Sequence, residues 1–279
     1  MPRTARVHIH HRHRGGLLLG AVLLAGALAT ARADEIRVGG TGGALGTVRV
    51  LAQAYARKQP QARIAVLPSL GSTGGIKAVL AGQIELAVSA RPLKEPEILQ
   101  GASQIELGCT PVVLATAAAS KVSSLSTTEL VEILTGKKVH WPDGQTIRPV
   151  LRPADEIDTE TLKRISPEMP QALLIAAQRK GLPFAVSDQE AADTLEKVPG
   201  ALGTTTLAQL LTEHRALKAL RLDHAEPNAR NVRNGSYPMC RSVFLVVGPQ
   251  TSGAARQFAA FVQSGPAAAL LRRNGYVQH

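Results

Sequence analysis

Two glycine-rich loops carry the residue types that bind anions. The first reads VGGTGGALG over residues 38–46, and the second reads GSTGG over residues 71–75. Glycine lets backbone N–H groups turn toward a ligand without a Cβ in the way, and a helix start adds free N–H donors and partial positive charge. Hydroxyl groups beside those amides add further donors. The loops predict the ligand-binding residues Gly40, Thr41, Gly42, Ser72, Thr73 and Gly74.

A third segment adds two more candidates, because Ser89 follows an apolar run and Arg91 lies two residues further on. Each glycine loop taken alone is also typical of a tight turn between a strand and a helix. Three donor-bearing strand ends in one sheet favour a site instead, since ligands in open α/β sheets bind beyond the carboxyl ends of the strands.

The glycine pattern does not fit a nucleotide site. A dinucleotide-binding loop needs G-x-G-x-x-G and an acidic residue after the second strand, but Leu45 holds the third glycine position and residues 67–69 read LPS. A phosphate-binding P-loop ends in Gly-Lys-Ser/Thr, and neither loop does.

Other kinds of chemistry have little support in the sequence. There is no G-x-S-x-G motif and no CxxC pair, and the histidines after the first 33 residues are scattered. We predict no catalytic residues, no cofactor and no metal site. The Asp188 side chain is expected to cap a helix over Gln189–Lys197.

The first 33 residues predict a secretory signal peptide that is cleaved near Ala33, and hence a periplasmic protein. They combine an arginine-rich start, a thirteen-residue apolar run at Leu17–Ala29 and the small-x-small sequence Ala31-Arg32-Ala33. The alternative is a transmembrane anchor, for which the apolar run is short, since a bilayer needs about 20 residues.

The charge of the exported chain favours a small anionic ligand over nucleic acid. Removal of the five leader arginines lowers the formal charge from +11 to about +6. Aromatic side chains make up only 3% of the sequence, too few for base stacking, so no nucleic-acid partner is predicted.

Strand and helix patterns alternate along the chain and predict an α/β fold with a mostly parallel sheet. The predicted strands are Ile36–Val38, Ile64–Leu67, Ile84–Val88, Cys109–Thr116, Ile147–Leu151, Phe184–Val186, Ala201–Thr205 and Val243–Val247. The predicted helices are Leu45–Lys58, Gly75–Ala81, Thr127–Leu134, Leu162–Ser166, Pro170–Ala177, Gln189–Lys197, Ala254–Ser264 and Ala267–Asn274.

Four segments in order resemble the solute-binding proteins of phosphate-type ABC transporters. They are GSTGGIKAVLAGQIELAVSARPL (71–93), LTGKKVHWPDGQTIRPVLRP (134–153), PGALGTTTLAQL (199–210) and NGSYPMCRSVFLVV (234–247). The resemblance implies a type II periplasmic binding protein, in which two α/β lobes enclose a ligand cleft. It implies one lobe at 34–115 plus 243–279, a second lobe at 116–242, and crossover strands at Cys109–Thr116 and Tyr237–Val247.

The same resemblance implies several site features. It assigns Ser89 to the strand-end position of the site and adds Arg152 as the arginine of the second lobe. It also brings Cys109 and Cys240 onto neighbouring antiparallel strands, where a disulfide is one possibility and a register that does not face them together is the other.

One segment departs from the family pattern. After its arginine the family usually carries Gly-Ser-Gly-Thr, whereas this chain reads RPADEIDT over residues 152–159. Three carboxylates beside an anion are unfavourable unless they face away or pair with arginine. Alternatively the acids belong to a helix N-terminus, where they are favoured. The sequence leaves the identity of the anion open.

Two functions remain open at this level. The first is a monomeric receptor that captures a phosphate-like oxyanion and delivers it to a membrane ABC permease. The second is a periplasmic sensor or interaction protein of the same fold that signals to a membrane partner without a transport role.

Overall fold

The computed structural model describes residues 35–278, so the predicted signal peptide and its cleavage site lie outside the described residues. The strands are β1 (Ile36–Gly40), β2 (Ile64–Val66), β3 (Leu86–Ser89), β4 (Ser103–Ala117), β5 (Ser124–Leu125), β6 (Arg148–Pro149), β7 (Ala201–Thr206), β8 (Leu217–Ala219), β9 (Arg221–Leu222) and β10 (Cys240–Val247).

Helices alternate with these strands through most of the chain. They are α1 (Gly42–Lys58), α2 (Gly71–Leu80), α3 (Glu95–Leu99), α4 (Thr127–Thr135), α5 (Ile157–Leu162), α6 (Met169–Gln178), α7 (Asp188–Lys197), α8 (Leu207–Thr212), α9 (Ala229–Arg233), α10 (Gly253–Val262) and α11 (Gly265–Arg273). Within residues 35–278, none of these helices combines the length and the hydropathy that a bilayer crossing requires.

One mixed sheet runs through the molecule in the order β2-β1-β3-β10-β4-β7-β6, with β8 paired to β4. Strand β1 is parallel to β2 and β3, and β6 is parallel to β7. Every antiparallel pair in this sheet involves β4 or β10. The predicted α/β class is therefore confirmed, and the two predicted crossovers are the strands that join its two parallel ends.

The apolar side chains pack into cores on the two sides of these crossing strands. The first lobe is built on β1–β3, α1, α2, α10 and α11, and its core includes Leu107 and Val243. The second lobe is built on β6, β7 and α4–α8, and its core includes Val112 and Tyr237. The residue bounds of the lobes remain a prediction.

Both glycine loops form the first turns of helices. Helix α1 begins at Gly42 and not at Leu45, and α2 begins at Gly71 and not at Gly75. The sequence places the starts too late because glycine is a poor helix former. In the structure the backbone amides of these glycine segments thus lie at two helix N-termini, where N–H donors lack an intrahelical partner.

Three predictions for the second lobe were wrong. The predicted helix Leu162–Ser166 lies too late in the chain, because α5 spans Ile157–Leu162 and begins where the Glu156 side chain accepts the N–H of Asp158. Segment Phe184–Val186 makes a single bridge, between Phe184 and Leu151. The predicted strand Ile147–Leu151 is reduced to Arg148–Pro149; beyond it Val150 still donates to the Leu202 carbonyl, and Leu151 forms only the single bridge to Phe184.

The two cysteines are joined in a disulfide. Their strands pair antiparallel, with Cys240 opposite Pro111 and Ser242 opposite Cys109, so the cysteines are diagonal neighbours. Their Cα atoms are 5.8 Å apart, within the range that a disulfide spans. The bond therefore links the two crossing strands near the middle of the sheet.

Candidate anion-binding cleft

A cleft of about 470 Å³ opens between the two lobes. We use "the cleft" for this space, whose volume lies in the usual range for small-ligand sites. Six of the nine predicted ligand residues line it, namely Thr41, Ser72, Thr73, Gly74, Arg91 and Arg152. Gly40, Gly42 and Ser89 do not line the cleft, but each lies next to a residue that does, Thr41 or Ala90.

The start of α2 presents donors to the cleft. The residue before this helix is Leu70, whose apolar side chain offers nothing to the first-turn amides, and that turn reads GSTG. Ser72 Oγ accepts a hydrogen bond from the N–H of Ala90 at 2.9 Å, which fixes the helix start to the end of β3. This helix start therefore brings backbone amides, the partial positive charge of a helix N-terminus and the Thr73 hydroxyl to the lining of the cleft.

Arg91 is held in place by an acidic partner. Its guanidinium donates two hydrogen bonds to Glu97, at 2.7 and 2.9 Å. These bonds lower the pKa of Glu97 to about 2 and raise the pKa of Arg91. Ser89 is fully buried, and its hydroxyl donates to the Arg91 carbonyl at 2.7 Å, so it shapes the turn.

The start of α1 already holds a carboxylate. Oδ2 of Asp188 accepts a hydrogen bond from the N–H of Gly43 at 2.6 Å and one from the Thr41 hydroxyl at 3.1 Å. The prediction that Asp188 caps its own helix was wrong, because the Ser187 hydroxyl caps α7 by accepting the N–H of Glu190. The freed Asp188 side chain crosses the cleft to the first lobe.

Close approach explains the glycines of the first loop. Gly40 has φ +127°, and a Cβ there would lie 2.0 Å from the Val88 carbonyl oxygen. A Cβ on Gly42 would lie 2.0 Å from Gln189 Oε1, and one on Gly43 would lie 2.2 Å from Arg241 Nη2. The loop thus lets the second lobe and β10 approach the backbone of α1.

Five charged residues lie close together around the Asp188 carboxylate. They are Arg152, Glu156, Asp158, Asp188 and Arg241, and we call them the ion cluster. Arg241 Nη1 lies 2.9 Å from Asp158 and 3.4 Å from Asp188. Arg152 Nη2 lies 3.4 Å from Glu156, and Arg152 Nη1 lies 3.4 Å from Asp188. The side chains of both arginines are at most 5% exposed. Glu156 and Asp158 therefore pair with arginine, and Glu156 also begins a helix, whereas Asp155 is exposed and lines the cleft.

The cluster has two positive groups and three carboxylates, and burial together with these charges shifts the pKa values of the acids. Burial, followed by the charge of Asp158, raises the pKa of Glu156 to about 7, and burial also raises the pKa of Asp158. Burial by itself would raise the pKa of Asp188. The charges of Arg241 and Arg152 and the bond from Gly43 outweigh it, and the pKa of Asp188 falls to about 2.

The three carboxylates of the cluster lie within 4.8 Å of one another, a spacing that could hold a metal ion. Here the two guanidinium groups contact oxygens of all three carboxylates and supply the positive charge. A cation would have to compete with both arginines, which makes this arrangement a poor metal site.

Sequence reasoning missed two residues that shape the site. Arg241 could have been found from the sequence, because it is a charged residue near the start of the apolar strand CRSVFLVV, and a charge in a buried strand needs a partner of opposite charge. Asp188 carried none, because an acid in the first turn of a helix is commonplace.

Comparison with known proteins identifies relatives of this chain. A sequence model described as a PBP superfamily domain matches residues 25–265. The phosphate-binding protein PstS of Bacillus subtilis (strain 168) is 25% identical over 227 residues, covering 78% of this chain and 71% of that protein.

Solved structures give the same result for the fold. A putative phosphate ABC transporter substrate-binding protein with bound phosphate from Clostridium perfringens has a TM-score of 0.67 at 19% identity, covering 88% of this chain and all of that one. An ABC-type phosphate transport receptor from Vibrio cholerae has a TM-score of 0.57 at 20% identity, with coverage of 88% and 100%.

Proposed function

The chain belongs to the PBP superfamily, and from that premise we propose that it is an exported solute-binding protein that captures a small oxyanion in the cleft. The relatives named above are phosphate-binding proteins or phosphate transport receptors, which supports phosphate or a related anion as the solute. The proposal includes delivery of the anion to a membrane ABC permease and a monomeric receptor in the periplasm.

One observation carries this proposal: the α1 side of the cleft holds an oxyanion group, the carboxylate of Asp188. Its donors are a backbone N–H and a hydroxyl, and two guanidinium groups lie at 3.4 Å. Donors of this kind recognise oxygen with negative charge, whether it belongs to a carboxylate or to a free oxyanion.

The cleft supplies the rest of the contacts. The first lobe contributes the α2 amides and the Ser72 and Thr73 hydroxyls, and the second lobe contributes Arg152. A ligand contacted from both lobes would favour the form in which the lobes are together, as in hinge closure around a solute. That closed form is the one that a permease would recognise.

A thermal shift panel tests the proposal. We expect phosphate or a related oxyanion, at a hundred times its dissociation constant, to add about 2.7 kcal/mol of stability, equivalent to about 5–10 °C. The panel comprises phosphate, sulfate, molybdate, tungstate and small carboxylates. Thr73→Val keeps the shape of the side chain, and we expect it to weaken the response. Thr194→Val, in the middle of α7, is the matched control.

A second function is favoured by a different observation. The ion cluster joins the lobes through the protein's own side chains, which suits a sensor or interaction protein of the same fold that signals to a membrane partner. Absence of a shift with every anion in the panel, for a folded protein, would support this second function over oxyanion capture.

A further inference from the structure

We propose that Asp188 is an intramolecular competitor for the oxyanion ligand. It occupies the α1 side of the cleft, and the ligand gains the amide of Gly43 and the hydroxyl of Thr41 only when Asp188 leaves. This inference rests on the proposed function, since it concerns the affinity of the same cleft.

We call the position of the Asp188 carboxylate, between the Gly43 N–H and the Thr41 hydroxyl, the seat. Asp188 is buried there, and it accepts a hydrogen bond from a backbone N–H that lies 145 residues earlier in the chain and in the other lobe. The neighbouring side chain of Gln189 donates to the Gly42 carbonyl at 2.9 Å, so the start of α7 touches the start of α1 twice. An anion at the N-terminus of α1 and the Asp188 carboxylate cannot occupy this seat together.

The exit of Asp188 needs little rearrangement. Asp188 lines the cleft beside Thr41 and Arg152, so a rotation of its side chain or a small separation of the lobes moves the carboxylate into open space. The segment before it is exposed, with Val186 at 66%, so the start of α7 has room to shift.

Charge counting shows why the exchange is tolerated. When Asp188 leaves, Arg152 and Arg241 still face Glu156 and Asp158, so two positive groups remain opposite two acids. An anion that enters then takes over the negative charge that Asp188 supplied. Exchange of the internal carboxylate for an oxyanion therefore leaves the balance of the ion cluster nearly unchanged.

Competition of this kind lowers affinity by the fraction of protein in which the seat is free. Hydrogen bonds to a charged group correspond to about a tenfold to hundredfold preference for the occupied seat. The wild-type protein should therefore bind its anion about ten to a hundred times more weakly than a variant in which the seat is vacant.

The test is isothermal titration of inorganic phosphate into the full mature chain, comparing wild type with Asp188→Asn. Asparagine keeps the size and loses the charge, so its neutral amide oxygen competes less strongly for the Gly43 N–H, and we expect phosphate binding to tighten about tenfold. Asp193→Asn is the matched control, because it removes one acid from the same helix at a side chain that is 45% exposed. We expect its affinity to equal that of wild type.

Each outcome separates this inference from the proposed function. Tighter binding by Asp188→Asn supports the inference, and so does binding by that variant alone. Equal or weaker binding overturns the inference and leaves oxyanion capture standing. If neither protein binds phosphate or another anion of the panel, the proposed function fails. Asp188→Ser, whose shorter side chain vacates the seat, serves as the second variant should the asparagine variant not fold.

Discussion

The carboxylate of Asp188 lies 2.6 Å from the backbone nitrogen of Gly43, although the two residues belong to different lobes. The contact uses the N-terminus of α1, the same feature that the glycine loop suggests as an anion site. The protein thus presents an anion-binding end and an internal anion that fills it.

The space beside Gly43 should not tolerate a side chain. In Gly43→Ala the new Cβ would lie 2.2 Å from Arg241 Nη2 and 3.3 Å from Asp188 Oδ2, so both groups must move. We expect a loss of about 1–3 kcal/mol in urea denaturation. Gly253→Ala, in the first turn of α10 with no neighbour within 4 Å, is the control and should lose nothing. Equal stabilities for the two variants would contradict the packing described here.

Arg241 should be among the most sensitive positions for stability. Its side chain is 1% exposed and contacts all three acids of the ion cluster. Arg241→Met leaves Asp158 buried without its nearest positive partner, and we expect a loss of about 3–5 kcal/mol. Lys197→Met removes a pair whose lysine is 73% exposed, and it should cost at most about 1 kcal/mol. Similar losses in chemical denaturation would show that the cluster is not buried as described.

Glu156 should make stability depend on pH. Burial raises its pKa from 4.5 in the unfolded chain to about 7 in the folded protein, so folding favours the protonated form. The resulting stability is complete below about pH 4.5 and is lost as the pH rises to about 7, a change of ~1–3 kcal/mol. The contribution of Asp188 has the opposite sign and is lost only as the pH falls from 3.8 toward 2.

The measurement for this prediction is urea denaturation at a series of pH values. Glu156→Gln should reduce the fall in unfolding free energy between pH 4.5 and 7. Glu160→Gln lies on the same helix with a side chain that is 40% exposed, and it should keep the wild-type slope. A wild-type slope in both variants would contradict a shifted Glu156.

The disulfide should stabilise the crossing strands. It closes a loop between residues 131 apart, and removal of such a bond costs about 2–4 kcal/mol. Wild-type protein should lose this amount in reductant, whereas the Cys109→Ser/Cys240→Ser variant should be insensitive to reductant. Two reactive thiols in unreduced, denatured wild type would rule the bond out.

The sequence was informative where local patterns decide the structure. The predicted apolar strand Val243–Val247 lies within β10, and the predicted helix Thr127–Leu134 is α4, which begins with a capping box between Ser126 and Glu129. The starts of α1 and α2 were placed late because glycine disfavours helix, and only tertiary contacts hold those turns. The same limit applies to Asp188, since its partners are distant in sequence and its own neighbourhood suggests an ordinary helix start.

A crystal structure of the mature protein at saturating phosphate tests the central claim most directly. We predict a tetrahedral anion in the cleft, hydrogen-bonded to the α2 amides near Ser72 and Thr73 and contacted by Arg152, with the Asp188 carboxylate moved away from Gly43. An empty cleft, with Asp188 still 2.6 Å from the Gly43 nitrogen, would contradict oxyanion capture.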